Sequence, residues 1–482
     1  MSERRNPIFR LPPEPGPDLL IDALGEMEKD LGTRACVVGG YVRDLVMGRA
    51  SSPDVDLVLD RVDAERGGKW LVDRWGGRGK VIAFERYGTA QVSLPLRGGS
   101  RFTVELVRAR SEAYSKESRK PKVAPATLEQ DVMRRDFTIN TLLLTGERLL
   151  LDPTGSGLAD IRGGLLRTPL DPDQTFDEDP LRILRAARFA SQLDFQLVDG
   201  VEAAMRRARH RLRIVSAERI RDELIKLLLG VRASRGLEIL RRTGILEEIL
   251  PELDRMHGVA QGGYHLGDVF EHTAMAVDLA PPSRLVRLAV LFHDSGKPDT
   301  LVKTAAGPTF HRHQRVGAEI AGAVMRRLRF SNTEIGQVQR LVEMHMRPIQ
   351  YRREWADSAV RRLWREAGPL GPQLLELARA DTRASSYPGT EELDDLEDRM
   401  RQVAEENPKG IDAPLEGNRL KEHFGLGDGP WIGRAKRLLV EALLEGQLTA
   451  EEGRGEERAL ALLEDDRSPW WPRSGEAGDP NG

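Results

Sequence analysis

Two carboxylates alternate with apolar residues in the run Asp54-Val55-Asp56-Leu57-Val58-Leu59. Such alternation predicts a β-strand, whose period of two sends Asp54 and Asp56 to one face and Val55, Leu57 and Leu59 to the other. Like charges on one strand face repel each other and resist burial, so they call for a cation. Oxygen donors suit a hard divalent ion, and Mg2+ is the first expectation. Upstream, Gly39-Gly40 lets the backbone approach a ligand closely, and the helical pattern starting at Tyr41-Val42 offers further N–H groups. Arg43-Asp44 and Gly48 lie between the glycines and the carboxylates, and Ser51-Ser52-Pro53 supplies a turn. A glycine turn that can cradle a triphosphate, beside a metal-binding carboxylate pair, describes a site for nucleotidyl transfer.

Other clusters extend this chemistry. In DVMRRDFTINTLLL, Asp131 reads as a helix start, Arg134-Arg135 can neutralise phosphates, and Asp136 and Asn140 share one helical face. The run Asp177 to Phe189 places acids first, then proline, then arginines, the pattern of a helix start. Within it Asp179 and Arg182 are three apart and can present a carboxylate and a guanidinium together. That pair complements the hydrogen-bonding edge of a base, and both ATP and CTP carry an exocyclic amine. Taken alone, a salt-bridged helix face explains the pair as well. Arg185 and Arg188 on the same pattern are expected to support a nucleotide pocket. Arg206, Arg207, Arg209, Arg211 and Arg213 form a dense basic cluster suited to RNA phosphates, with a solvated helix surface balanced by acids as the alternative.

Of nine histidines in the chain, six fall between His265 and His345. His272 and the pair His293-Asp294, together with a distal aspartate, can converge as nitrogen and oxygen ligands of a divalent metal. His257 and His423 lack such partners and read as surface or structural residues.

The elements that must position these groups follow from the pattern. A proline-broken lead precedes a helix over 21–31 that Gly32 ends, and then a strand Ala35 to Val38. A helix over 62–75, broken by Gly67-Gly68, leads to strands at 80–84, 89–94 and 101–107. In the last of these Glu105 faces away from Phe102, Val104 and Leu106. Residues 108–130, rich in charge and with two prolines, read as a mobile connection whose Arg110, Lys116, Arg119, Lys120 and Lys122 can meet phosphates. A short turn and strand are expected over 157–167. Helical periodicity dominates from 180 onward, and SPWWPRSGEAGDPNG reads as a frayed tail. The chain has 482 residues, 40% hydrophobic and 31% charged, with a formal charge of -3, so a polyanion must be met by local patches. The lone Cys36 excludes an internal disulfide and, set in an apolar run, reads as buried. No signal peptide or membrane-length segment is evident, which makes cytoplasmic residence the expectation. The oligomeric state is left open between monomer and homodimer.

The stretch GGYVRDLVMGRASSPDVDLVL resembles the signature of the bacterial-type tRNA nucleotidyltransferase and poly(A) polymerase family, the class II branch of the polymerase-beta-like superfamily. DVMRRDFTINTLLL resembles the family's next motif, and Glu178-Asp179 with Arg182 its Glu-Asp-x-x-Arg motif. The resemblance implies an α+β chain: a flexible lead over 1–20, a polymerase-beta-like nucleotidyltransferase head over 21–170, and a helical neck over 171–255. It implies two Mg2+ ions on Asp54 and Asp56, with Glu105 as a third carboxylate. Gly39, Gly40, Arg43, Asp44, Arg134, Arg135, Asp136 and Asn140 would form the nucleotide pocket. Asp179 and Arg182, supported by Glu178, would choose CTP or ATP, and CMP, AMP or both would be added to the tRNA 3' end. Poly(A) synthesis is the close alternative, and an RNA-binding scaffold with an inactive site a third. Departures from the pattern include Thr141, where relatives often have alanine.

Residues 256–400 resemble the HD superfamily of helical metal-dependent phosphohydrolases. That resemblance supplies Asp381 as the distal aspartate beside His272, His293 and Asp294, and His313 and His345 for a second metal. It implies a transition metal, Lys297 on a substrate phosphate, and hydrolysis of 2',3'-cyclic or related phosphates. Residues 401–482 form a helical region and tail that resemble nothing nameable.

Overall fold

The computed structural model describes residues 17–49, 54–84, 88–95, 101–115, 118–262, 267–305, 307–386, 389–406, 410–448, 455–465, 467 and 469–472. Residues 1–16 of the expected lead, the Ser51–Pro53 turn, Lys116 and His265 lie outside them, while residues 17–20, expected in the lead, already belong to the first helix. The chain divides into two compact units, residues 1–254 with 327–329, and residues 255–326 with 330–482.

In the first unit, helix α1 (Pro17–Leu31) precedes strand β1 (Ala35–Val38), helix α2 (Gly40–Val46), strand β2 (Asp54–Leu59) and helix α3 (Ala64–Arg74). Strands β3 (Lys80–Phe84), β4 (Thr89–Pro95) and β5 (Arg101–Arg108) follow. The main sheet is completed by β8 (Leu143–Thr145) and β9 (Leu150–Leu151), after the hairpin strands β6 (Arg110–Ser115) and β7 (Ser118–Pro125). Its order is β3-β4-β5-β2-β1-β8-β9, with β2 and β5 parallel and the other neighbours antiparallel. Alternation in β4 and β5 places Ala90, Val92, Leu94, Phe102, Val104 and Leu106 in the core, as a sheet with one covered face requires.

Four local expectations are corrected. Helix α3 runs through Gly67-Gly68 unbroken, because the glycines serve packing: a Cβ on Gly67 would stand 2.5 Å from Leu59 Cδ1, and one on Gly68 3.0 Å from Val92 Cγ2. Residues 110–125 pair as an antiparallel hairpin rather than an unstructured connection. Asp131 is not a cap; Thr127 and Gln130 form the capping box of α4 (Leu128–Met133), and Asp131 sits inside that helix. Residues 157–163 form helix α5 (Gly157–Gly163) before β10 (Leu165–Leu166), where a turn and strand were expected.

The helical remainder of this unit begins with α6 (Pro172–Glu178) and α7 (Leu181–Leu193). The expected single helix start at 177–189 is thus two helices, parted by Asp179 in extended backbone at φ -135°, ψ 100°. Pro180 cannot donate an N–H to continue α6, but it suits the start of α7. Strand β11 (Gln196–Leu197) and helices α8 (Val201–Ala208), α9 (Ala217–Leu228), α10 (Ala233–Arg242), α11 (Ile245–Ile249) and α12 (Pro251–Asp254) complete the order, with a 3-10 turn at Arg209–Ile214.

The second unit is helical, with one hairpin. Helices α13 (Val269–Leu279) and α14 (Arg284–Phe292) are capped by Asp268 and Ser283. Then come α15 (Lys297–Thr300), strands β12 (Leu301–Thr304) and β13 (Gly307–Phe310), α16 (His313–Arg327), α17 (Asn332–Met344), α18 (Met346–Ile349), α19 (Asp357–Ala367), α20 (Gly371–Ala384) and α21 (Glu391–Glu406). The last helices are α22 (Gly417–Phe424), α23 (Pro430–Leu444) and α24 (Gly455–Asp465). Of the tail read as frayed, Trp470 is wholly buried against Phe424 and Trp431. No helix among the described residues is long and apolar enough to cross a membrane.

Candidate active site and metal centre

Parallel pairing sets Asp54 opposite Thr103 and Asp56 opposite Glu105, so Asp54, Asp56 and Glu105 leave the sheet on one face. Burial raises the Asp56 carboxyl, opposed by Arg135 and Arg185 and reinforced by Asp54. Burial also raises Glu105, with Asp56 and Asp54 adding to it. Carboxylates gathered on one face, with Asp56 and Glu105 both raised, form a cation site by chemistry. Gly39 faces them at φ +82°, and a Cβ there would stand 2.7 Å from Asp56 Oδ2. Glycine at this position satisfies both the left-handed backbone and the close approach.

Beside the carboxylates lies a cleft of about 640 Å³ lined by Gly39, Gly40, Arg43 and Asp56 from the first motif. Arg134, Arg135, Asp136 and Asn140 join it from the second, and Asp179, Arg182, Arg185 and Arg188 from the junction of α6 and α7. Asp44 stands behind the lining and accepts from Arg43 Nε at 2.8 Å. Arg43 Nη1 donates to Asn140 Oδ1 at 3.0 Å, and Asn140 Nδ2 donates to Asp136 Oδ1 at 3.0 Å. Arg185 Nε closes the network on Asp136 Oδ2 at 2.6 Å. Burial pushes Asp136 up, but Arg185, the Asn140 hydrogen bond and Arg188 together hold it well below the usual carboxylate range. Asp136 and Asn140 meet across a short 3-10 turn, Thr138–Asn140, not along the helix face expected.

Arg134 and Arg135 are both tied to the fully buried Asp131, at 2.5 and 3.3 Å. Arg182 is nearly buried; it donates to Thr175 O, Arg134 O and Glu178 Oε2. Asp179 Oδ1 accepts from the Leu181 N–H, and its Oδ2 faces Arg219 at 3.7 Å. The two template candidates share the cleft while each rests on a different neighbour. Sequence reasoning missed Phe189, a cleft residue whose ring lies 4.1 Å from the Arg188 guanidinium and within 5.5 Å of those of Arg43 and Arg185. Its place one residue after Arg188 and four after Arg185 was the signal available.

The neck arginines are engaged within the unit. Arg207 pairs with Asp173, Arg211 with Asp177 and Arg213 with Glu248, while Arg206 and Arg209 donate to the Arg242 and Arg206 carbonyls.

In the second unit His272, His293, Asp294, His313, His345 and Asp381 converge, all buried. His272, His293 and Asp294 have ligand atoms within 4.8 Å of one another, as do Asp294, His313 and His345. His272 Nε2 lies 3.0 Å from Asp381 Oδ1, and His313 Nε2 lies 3.4 Å from Asp294 Oδ1 and 3.3 Å from His345 Nε2. Nδ1 of His293, His313 and His345 each donates to a backbone carbonyl, at 2.7, 2.9 and 2.7 Å. A carbonyl only accepts, so these bonds fix the proton on Nδ1 and aim the Nε2 lone pair inward. Burial lowers His293, but Asp294 and Asp381 raise it to about 9. The carboxylates thus favour positive charge beside these Nε2 atoms, where a divalent metal would sit. Lys297, expected on substrate, donates to Asp294 at 2.6 Å and to Gln261. His257 and His423 pair with Asp268 and Glu464 away from the cluster.

The chain matches the families described as "Poly A polymerase head domain" over residues 35–167, "Probable RNA and SrmB- binding site of polymerase A" over 194–256 and "HD domain" over 262–385. An A-adding tRNA nucleotidyltransferase of Deinococcus radiodurans is 36% identical over 68% of this chain and 79% of its own length. A CC-adding tRNA nucleotidyltransferase of Thermus thermophilus is 34% identical over 86% of this chain and 91% of its own. The Bacillus stearothermophilus CCA-adding enzyme in complex with CTP shares the fold at a TM-score of 0.68 and 24% identity, over 94% of this chain and 98% of that one. Coverage of more than two thirds by both relatives, on top of the matched head and HD segments, means that the chain belongs to the tRNA nucleotidyltransferase and poly(A) polymerase family and carries an HD domain.

Proposed function

We propose that this chain is a tRNA nucleotidyltransferase that adds CMP, AMP or both to the tRNA 3' end from CTP and ATP, releasing pyrophosphate. The observation that carries this reading is the face shared by Asp54, Asp56 and Glu105, opening beside an arginine-lined cleft large enough for one nucleotide. Asp54 and Asp56 would hold Mg2+, with Glu105 as the adjoining acid, and oxygen donors fit that ion. When bound, Mg2+ activates the attacking 3'-hydroxyl and balances the charge of the departing pyrophosphate. The backbone at Gly39-Gly40 approaches the triphosphate, and Arg134 and Arg135 neutralise it. Arg43, Asn140, Asp136 and Arg185 form one hydrogen-bonded chain that fixes the pocket, with Asp44 orienting Arg43 and Arg188 stacking on Phe189. Asp179 accepts from the base amine and Arg182 donates to the base edge, with Glu178 supporting Arg182.

On this reading residues 21–170 are the catalytic head, 171–255 the neck, 256–400 the HD domain and 401–482 a helical region. The HD cluster supports a second activity, phosphohydrolysis of 2',3'-cyclic phosphates at a transition-metal centre, because its donors are rich in nitrogen.

Transfer is tested with tRNAs ending before CCA, after one C and after CC, and with an unrelated RNA, each given CTP, ATP or both. Extension confined to tRNA is expected, and the pattern of ends assigns CCA, CC or A addition. Long ATP-only extension of the unrelated RNA overturns the tRNA assignment in favour of poly(A) synthesis.

A further inference from the structure

Arg207 donates from Nε and Nη2 to the two carboxylate oxygens of Asp173, at 2.8 and 2.6 Å, and Arg211 pairs with Asp177. Both acids lie on α6, four residues apart and so on one face; both arginines are four apart where α8 runs into the 3-10 turn. Two successive turns of α6 are thereby laced to α8 and the turn that follows it. Helix α6 ends at Glu178 and is followed without a spacer by Asp179. Its placement sets where the base-reading acids stand. Gln174, one turn earlier on α6, also donates to Glu178 Oε1 at 3.0 Å. Arg211 is only 16% exposed, with its Nη1 turned to Asp177.

We propose that Arg207 and Arg211 are positioning residues for nucleotide choice, holding α6 so that Glu178 and Asp179 face the incoming base, rather than contacts for RNA phosphates. The proposal rests on the reading that Asp179 and Arg182 read that base. The two functions part cleanly in kinetics. A phosphate contact supports tRNA binding and steepens its salt dependence. A brace on α6 acts on the nucleotide and leaves tRNA affinity unchanged.

The test uses the full chain with a tRNA lacking its 3' nucleotides, and measures kcat and KM for CTP and ATP, and KM for tRNA across salt concentrations. Four proteins are compared: wild type, Arg207→Ala/Arg211→Ala, the charge swap Asp173→Arg/Arg207→Asp, and Asp179→Ala. Partly exposed pairs are modest, so the double alanine variant should lose about three- to tenfold in nucleotide kcat/KM, with weakened discrimination between CTP and ATP. Its tRNA KM should stay within about twofold, with an unchanged salt slope, and the swap should recover most of the Arg207 share. A raised tRNA KM with a shallower salt slope and unaltered nucleotide parameters overturns the proposal; so does no change at all. Should the double alanine variant fail to fold by circular dichroism, the swap and a single Asp173→Asn decide on the same readings. Asp179→Ala separates the two ideas. Discrimination lost there but intact in the arginine variants sinks only the brace, whereas discrimination intact in Asp179→Ala sinks the base-reading assignment and the brace with it.

Discussion

Asp56 and Glu105 are register partners on the parallel strands β2 and β5, and the pairing sends both side chains out of the same sheet face, beside Asp54. Their proximity is costly: burial raises both carboxyls, Asp54 adds to the rise at Asp56, and Asp56 and Asp54 add to that at Glu105. A fold that keeps this arrangement needs compensating positive charge, of which Arg135 and Arg185 supply part at Asp56, and a bound cation would supply more.

Replacing Asp54 and Asp56 together by Asn should therefore separate binding from stability. Nucleotidyl transfer should fall by about a thousandfold or more, the scale of several kcal/mol of lost charge stabilisation. Wild-type protein should gain thermal stability on adding Mg2+, since a ligand that binds only the folded state stabilises it, and the double variant should not. Any hydrolysis at the HD centre should continue. Transfer that survives in the double variant would remove these carboxylates from the mechanism.

The Arg185–Asp136 pair predicts a pH-dependent stability defect. Asp136 is buried and its carboxyl is held low, with burial opposed by Arg185. A depressed carboxyl contributes stability above its unfolded value near 4, and that contribution is lost as pH falls. Arg185→Ala should cost about 2–3 kcal/mol at pH 7, below the full penalty for a stranded buried charge because Arg185 is itself partly exposed. The difference between variant and wild type in urea unfolding should narrow as pH drops toward 4 and below. A gap that is flat or widens would show that the pair does not act through the charge of Asp136.

Asp294 belongs to both ligand groups of the HD centre, whereas His272 and His345 each belong to one. Asp294→Asn should accordingly abolish metal binding, and His345→Ala should remove only the second equivalent, as read by elemental analysis after dialysis against Mn2+. The fixed Nδ1 protons favour nitrogen-seeking ions over Mg2+. Loss of metal should lower the melting temperature without affecting nucleotide transfer. Equal metal content in Asp294→Asn and wild type would refute the shared-ligand arrangement.

The legible parts of this molecule are those with local periodicity. The alternation of β2 placed Asp54 and Asp56 correctly, and the alternation of β5 placed Glu105 on their face. Clustered histidines announced the HD centre although His272 and Asp381 are 109 residues apart. What escaped is what tertiary contact decides. Gly67-Gly68 reads as a helix breaker by propensity, but the absence of Cβ atoms is what lets α3 lie on Leu59 and Val92. The pairing of 110–125 is backbone hydrogen bonding, which a charged segment with prolines does not advertise. The break at Asp179 went unseen because acid, proline and arginine in sequence fit one helix start as well as a junction of two. The partners of Arg207 and Arg211 lie 34 residues upstream, outside any local window.

Trp470 gives the sharpest test of a misread segment. Its sequence context, Ser-Pro-Trp-Trp-Pro, has no period and suggests a loose end, yet the side chain is 0% exposed. Its ring centroid lies 4.7 Å from that of Phe424 and 5.9 Å from that of Trp431, and Nε1 donates to Leu463 O at 3.2 Å. The indole thus ties α22, α23 and α24 together after the chain has left the last helix. Trp470→Ala should cost about 3–5 kcal/mol, the usual range for emptying a fully buried aromatic site. Trp470→Phe, which keeps much of the apolar body but frees the Leu463 carbonyl, should cost less. Neighbouring Trp471 is only partly buried and stacks on Arg467 at 4.5 Å, so Trp471→Ala should cost at most about 1 kcal/mol. Urea unfolding of the three variants should rank them in that order. Equal stability of Trp470→Ala and wild type would return the segment to the frayed end its sequence suggests.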